Sequence, residues 1–298
     1  MDKTIIQNFI KEQDINQTSR RTYASALEQF MTWLQAKGLN YENITRADIL
    51  DYKAYILNDR KAAAATAGLY IVVIRRFYKW ISKPLYYEAI DGIKGPRRQQ
   101  RHVKQHLNDD EVKDLTNSLT NAGNARNYAI VTLMLYGALR CIEVARADTG
   151  DIQTRDGRTI LRIQGKGHAE RDNFIVLHPA ALRAIREYQQ ERQDLAPTSP
   201  LFTSESRRNA GGRLTTRTIS GICKKAMRAV GIDSPEFTAH SLRHTAAVKI
   251  LQTTGNIYAV KRVLRHANIK TSEIYTQSIE EEERIKDAPE LLIRYSIK

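Results

Sequence analysis

The sequence predicts a mainly α protein with one small antiparallel β-sheet, and three features of its patterning carry that prediction. Apolar residues recur at helical spacing through most of residues 1 to 93 and again from residue 105 onward. The period shortens towards two only between Asp151 and Leu177, where two short apolar runs flank Gly165-Lys166-Gly167. A stretch from Lys94 to Lys104 holds five Lys or Arg, no acid, and a Gly-Pro pair that breaks any helix. A chain of 298 residues is long for one compact core and suits two domains. The division expected is a helical domain over 1–93, a basic linker over 94–104 that self-repulsion keeps extended, and a mixed α/β domain over 105–298.

In order along the chain, Thr18 or Ser19 is expected to cap a helix with Tyr23, Leu27, Phe30 and Leu34 on one face, stopped near Gly38. Thr45 caps a second, running through Ile49, Tyr52, Ile56 and Leu57. A third follows the alanine run at 62–65, with Leu69, Val73, Phe77 and Trp80 on its apolar face and Arg75, Arg76 and Lys79 towards the other. Beyond the linker, Asn108-Asp109-Asp110-Glu111 marks a helix start, and Asn127 to Arg140 reads as an apolar helix. Strands are expected over Thr159–Gln164 and Asn173–Leu177, which puts Lys166 at a strand-to-turn junction. Helical periodicity returns over Ala180–Arg192 and continues to the C-terminus, with loops at 197–200 and 207–213.

Forty-seven Lys and Arg against thirty-three Asp and Glu leave a net charge of +14, which favours a polyanionic partner. Residues 1–104 hold eighteen basic and ten acidic residues, so the smaller domain is the more densely charged. Arg75, Arg76 and Lys79 on the third helix, with Lys94, Arg97, Arg98, Arg101 and Lys104 in the linker, are the expected phosphate contacts, against the commoner reading of a solvated charged face and tether. No apolar stretch approaches the ~20 residues of a membrane span and the start carries no signal pattern, so a cytoplasmic, nucleoid-associated protein is expected. Cys141 and Cys223 are too few for a disulfide framework or a four-cysteine zinc site and read as reduced packing residues.

The chemistry-bearing residues gather near the carboxyl end: His240, Arg243 and His244 in Ala239-His240-Ser241-Leu242-Arg243-His244-Thr245, then His266, then Tyr275. Further upstream stand Arg140 and Glu143 in Gly137-Ala138-Leu139-Arg140-Cys141-Ile142-Glu143. A tyrosine hydroxyl is a poor nucleophile at its ordinary pKa of about 10, so cations and a proton acceptor must surround it and the phosphate it attacks. Arginine suits the phosphate because its planar fork makes two charge-assisted hydrogen bonds and stays ionised. His240 and His244 share the i, i+4 spacing of a zinc pair, yet Ser241 stands where a metalloprotease needs Glu and no third ligand is evident; no metal or cofactor is expected.

The sequence resembles the tyrosine recombinase (phage integrase) family over essentially its whole length. The Gly-X-Leu-Arg-X-X-Glu setting matches Gly137 to Glu143, Gly-Lys-Gly matches Lys166, His-X-Leu-Arg-His matches His240 to His244, and a histidine nine residues before a tyrosine matches His266 and Tyr275. Arg265 stands where the family commonly has glycine, which adds a charge near DNA. The resemblance implies a helical core-binding domain followed by a tyrosine recombinase catalytic domain. It further implies that Tyr275 attacks a DNA phosphate to form a 3′-phosphotyrosyl bond, with Arg140 and Arg243 clamping the phosphate. His240 would accept the tyrosine proton or bond the phosphate, Lys166 would protonate the leaving 5′-oxygen, and His266 would donate a further hydrogen bond. Glu143, one helical turn from Arg140, would orient its neighbourhood, and His244 would pack near the site. The implied partners are double-stranded DNA bearing an inverted-repeat site, a homotetramer assembled on it, and accessory proteins. Taken alone each residue has a duller reading, and Tyr258 and Tyr295 are rival hydroxyls without the family spacing. A type IB-like relaxing topoisomerase or a non-catalytic DNA-binding protein are the alternatives. No further arm-type domain is expected, and residues 279–298, with Leu291, Leu292 and Ile293 at an apolar tip, are expected to dock on a neighbouring protomer.

Overall fold

The structure is a computed structural model, and it describes residues 3–81, 89–96, 105–165, 170–266, 268, 269, 272, 275 and 276. Lys166, Arg97, Arg98, Arg101, Lys104 and the expected docking segment at 279–298 lie outside the described residues. The fold is mainly α with a small antiparallel sheet, and the chain divides into two compact units, Met1–Arg101 and His102–Lys298.

Unit one contains α1 (Lys3–Glu12), α2 (Gln17–Ala36), α3 (Arg46–Asn58) and α4 (Ala64–Trp80). Its core is aromatic: Phe9, Phe30, Tyr52, Phe77 and Tyr78 are fully buried, and Phe9 meets Phe77 edge-on at 5.6 Å between centroids. Such pairs add about 1 kcal/mol beyond the area they bury. Thr45 caps α3 as expected, its hydroxyl accepting from the Asp48 N–H while Asp48 accepts from the Thr45 N–H. Helix α2 starts earlier than expected. Asn16, an equally good capping side chain, accepts from the Ser19 N–H at 3.0 Å and takes the place assigned to Thr18 or Ser19.

Unit two opens on α5 (Asp109–Asn121), closed by the reciprocal Asn108 and Glu111 capping box. Helix α6 (Ala125–Gly137) is apolar nearly all round and lies at the centre of the core, with Ile130, Leu133 and Met134 buried. It does not continue to Arg140. Ala138 turns left-handed at φ 49°, and Arg140 becomes the N-cap of a new short helix, α7 (Cys141–Arg146). Gly137 sits where a Cβ would come within 2.7 Å of Ile175 Cδ1, so the side chain of β3 fills the space that a larger residue would need.

Strands β1 (Ile152–Arg155), β2 (Arg158–Ile163) and β3 (Asn173–Val176) form one antiparallel sheet in that order. Ile152 pairs with Leu161 and Ile163 with Asn173. The first strand was not anticipated. It turns into β2 through Asp156-Gly157, both at positive φ (50° and 72°), the two-residue turn whose twist matches a hairpin. Helices α8 (Pro179–Gln190), α9 (Thr216–Arg228), α10 (Ala239–Thr254) and α11 (Ile257–Leu264) complete the described unit. Helix α6 packs along α8 and α10, which sets the Arg140 turn beside the helix carrying His240 and Arg243.

Candidate active site

Glu143 organises the site. Its side chain is 1 % exposed, and one oxygen accepts the Arg140 guanidinium Nη1 at 2.9 Å while the other accepts the Arg140 backbone N–H at 2.8 Å. The carboxylate therefore caps α7 and holds the Arg140 side chain in one stroke. Arginine has no acceptor, so only this half of a capping box forms. The α6 break explains why Arg140 can do this: an N-cap residue has extended backbone, here φ −82° and ψ 151°, and turns its side chain away from the helix.

Arg243, on α10, is 3 % exposed and donates to the carbonyl oxygens of Ala138 at 2.5 Å and of Leu264. Its Nη1 also lies 3.9 Å from Glu143. The left-handed turn at Ala138 aims that carbonyl inward, so the strained residue serves the site. Burial first, then the charges of Arg140 and Arg265, pull the Arg243 guanidinium down to about 9, which leaves it ionised at neutral pH.

Arg265 does not reach outward as the sequence suggested. It occupies the left-handed C-cap of α11 at φ 54°, the conformation that makes glycine favourable at such a position. Its guanidinium folds into the interior, donating to Glu143 at 2.8 Å, to the Ala138 carbonyl at 3.1 Å and to the Val263 carbonyl at 2.7 Å. The Ala138 and Val263 carbonyls replace the solvent that an exposed cation would have. For Glu143, burial works to raise the pKa, but Arg265, the Arg140 N–H, Arg243 and Arg140 outweigh it and hold the carboxyl below its ordinary value.

Tyr275 is 4 % exposed and belongs to a small apolar cluster with Ala138, Ala247, Val260 and Leu264, so packing fixes its ring. The His244 ring lies 5.2 Å from it, centroid to centroid. Burial pushes the Tyr275 hydroxyl up to about 12, against the pull of Arg243 and Arg140. His266 Nδ1 lies 2.9 Å from Ser272 Oγ, a partner the sequence reading did not single out although Ser272 stands three residues before Tyr275. His240 is exposed in the first turn of α10, and His244 is 5 % exposed against Tyr275. Among the described residues no group of three His, Cys, Asp or Glu is placed to hold a metal ion. Arg140, Glu143, Arg243, His244 and Tyr275 thus meet in one place.

Both ends of the hairpin segment that contains Lys166 are tied down. The Gly165 carbonyl accepts from Arg146 Nη1 at 2.8 Å. Arg171 reaches Asp151 at 2.5 Å through Nε and Asp148 through Nη2, and Arg213 takes the other oxygen of Asp148. Arg146, Arg171 and Asp148 were missed because one sequence offers many charged residues and no periodicity that separates tied ones from solvated ones.

In unit one the expected basic face is uneven. Arg75 is half-buried and donates to the Ile93 carbonyl at 2.5 Å, Arg76 is exposed over the Tyr23 ring at 5.7 Å, and Lys79 is exposed. Lys94 is exposed, its carbonyl accepting from Lys53.

Comparison with known proteins adds the decisive observation. The Phage integrase family model matches residues 105–282, and the phage integrase N-terminal SAM-like domain matches residues 5–88. The chain belongs to the phage integrase family. Members are tyrosine recombinases, DNA strand-transferring enzymes, and site-specific tyrosine recombination is the reaction class of this chain. The recombinase is 28 % identical to tyrosine recombinase XerC of Caldanaerobacter subterraneus subsp. tengcongensis, a match covering 79 % of this chain and 65 % of that relative, just under two thirds of its length. It is 26 % identical to tyrosine recombinase XerD of Pseudomonas putida over 93 % of each chain. Its fold is similar to that of XerH recombinase in a post-cleavage complex with a palindromic difH substrate (TM-score 0.75, 20 % identity, 96 % of this chain and 85 % of that one). A lambda integrase dimer bound to a COC′ core site is similar in fold as well (TM-score 0.67, 17 % identity, 91 % and 76 %).

Proposed function

We propose that this recombinase cleaves and rejoins duplex DNA at an inverted-repeat site through a covalent bond between Tyr275 and a 3′-phosphate, and that a tetramer on two sites exchanges strands. The observation that carries the reading is Tyr275: a buried hydroxyl whose pKa feels Arg243 and Arg140, held by apolar packing beside His244. Ionising a phenol of pKa about 12 at neutral pH costs roughly 7 kcal/mol, so its proton leaves as the phosphate is attacked, not before. His240 accepts that proton. Arg140 and Arg243 bind the non-bridging oxygens, where charge develops. His266, steadied by Ser272, donates a further hydrogen bond, and Lys166 gives a proton to the departing 5′-oxygen. The P–O bond to tyrosine forms as the P–O5′ bond breaks, so the diester energy is kept and a 5′-hydroxyl of either duplex reverses the step. The exposed unit-one residues Arg76 and Lys79 and the basic linker bind phosphates of the duplex, giving affinity without reading sequence.

The test is covalent capture. Wild type and Tyr275→Phe are incubated with a nicked duplex that wild type has selected from a randomised pool, in chelator without ATP, and separated on a denaturing gel. A DNA-linked band in wild type, absent in Tyr275→Phe while native-gel binding persists, supports the nucleophile. Binding without any covalent band would leave a DNA-binding protein only.

A further inference from the structure

Three guanidiniums converge on one carboxylate, and they differ in exposure and in how closely they engage it: Arg140 and Arg265 lie 2.9 and 2.8 Å from Glu143, Arg243 only 3.9 Å. The Arg140 side chain is 28 % exposed and open to a ligand. Arg243 is buried, at the floor of the same site. Arg265 is 8 % exposed and, among the described residues, donates to Glu143, to the Ala138 carbonyl that Arg243 also uses, and to the Val263 carbonyl, so it alone of the two buried arginines makes a hydrogen-bonded ion pair with Glu143. Its Nε is buried without a hydrogen-bond partner among the described residues, and its backbone is left-handed. Stability alone would not choose a long cation at such a position, where glycine relaxes the backbone and leaves no buried donor unmet.

We propose that Arg265 is a positioning residue, the inner counter-ion of Glu143, which leaves the charges of Arg140 and Arg243 available to the scissile phosphate. The proposal rests on the phosphoryl-transfer reading of the site. A carboxylate this buried must be paired. Without Arg265 it would draw on Arg140 and Arg243 alone, and their combined charge of two would be offset by one. With Arg265 the three cations and one anion leave two net charges facing the ligand. In a site screened from water, one unit of charge alters anion binding strongly. The same guanidinium ties the end of α11, next to His266, to the Arg140 turn through Glu143 and Ala138.

The charge argument predicts a particular pattern of rescue. Arg265→Gly suits the left-handed backbone and removes the cation; adding Glu143→Gln removes the charge that Arg265 balanced and keeps an acceptor for the Arg140 N–H. Three quantities are measured: covalent capture rate on the selected duplex, affinity for inorganic phosphate by NMR titration, and melting temperature. The result expected is a fall of roughly tenfold or more in capture rate and phosphate affinity in Arg265→Gly, with a cooperative melt retained, and recovery of most of the phosphate affinity in the double variant. A merely structural role would make the double variant no better than the worse single one. Wild-type capture and phosphate affinity in Arg265→Gly, or a double variant without recovery, would overturn the proposal. If wild type itself captures no duplex, the recombinase mechanism fails, and the order of phosphate affinities still decides the role of Arg265.

Discussion

The Glu143 carboxylate spans the first turn of α7, accepting the Arg140 backbone N–H on one oxygen and the Arg140 guanidinium on the other, at 2.8 and 2.9 Å. One side chain thus caps the start of the helix and aims the cation, and it also answers Arg265 and lies near Arg243. Glu143→Ala leaves two buried guanidiniums without a counter-charge and α7 without its cap. The expected cost is about 3 kcal/mol or more, read as a lowered midpoint in urea denaturation. Glu143→Gln, which keeps a neutral acceptor, should lose less.

Acid stability carries the same signature. The Glu143 carboxyl titrates below its ordinary value of 4.5 in the folded protein because Arg265, the Arg140 N–H, Arg243 and Arg140 overcome the opposing effect of burial. A depressed carboxyl gives stability that is fully present above the unfolded pKa and is lost as pH falls through the folded one. Stability of wild type should therefore decline as pH drops below 4.5, and the decline should be shallower in Glu143→Gln. Urea denaturation across that range measures it; parallel curves would count against the pairing.

Tyr275 should behave in the opposite way at the alkaline end. Its folded hydroxyl is raised from 10.0 to about 12, chiefly by burial. The contribution to stability is present below the unfolded pKa and disappears as pH rises through the folded one. In an ultraviolet difference titration, wild type minus Tyr275→Phe should show one phenol ionising near 12. A transition near 10 would mean that the ring is more open to water than its 4 % exposure implies.

On α4, neighbours of the same charge should do different work. Arg75 holds the Ile93 carbonyl, so Arg75→Ala should lower the melting temperature, at a cost of about 1 kcal/mol for the lost bond. Lys79 is exposed and makes no such tie among the described residues, so Lys79→Ala should leave the melt unchanged and reduce the salt dependence of DNA binding by about one counterion. Equal effects on melting would remove the distinction.

Much of this was legible in the residues themselves. Thr45 and Asn108 announced their helices because capping chemistry is local, and the apolar face of α4 followed from its spacing. The break after Gly137 was not, since an alanine takes the left-handed position that sequence reading reserves for glycine. Strand β1 was missed although Asp156-Gly157 is a strong hairpin signal. The inward turn of Arg265 depends on Glu143, 122 residues away in sequence, and a single chain gives no sign of such a pairing.

The ties of the hairpin give the last prediction. Arg171 joins the start of β3 to Asp151 and Asp148, and Arg146 holds the Gly165 carbonyl, so both limbs beside Lys166 are anchored to the end of α7 and the turn that follows. Asp151 is nearly buried, and losing its partner should cost about 2 kcal/mol in Arg171→Ala. If the anchored hairpin serves to deliver Lys166 as the acid for the leaving 5′-oxygen, the variant should also cleave more slowly at unchanged DNA affinity. A duplex with sulfur at the bridging 5′ position separates alignment from general damage, because a thiolate leaves without a proton. Arg171→Ala should be slow on the oxygen substrate and close to wild type on the sulfur one. Equal slowing on both would place the defect in phosphate binding or in folding, and the hairpin ties would then serve stability alone.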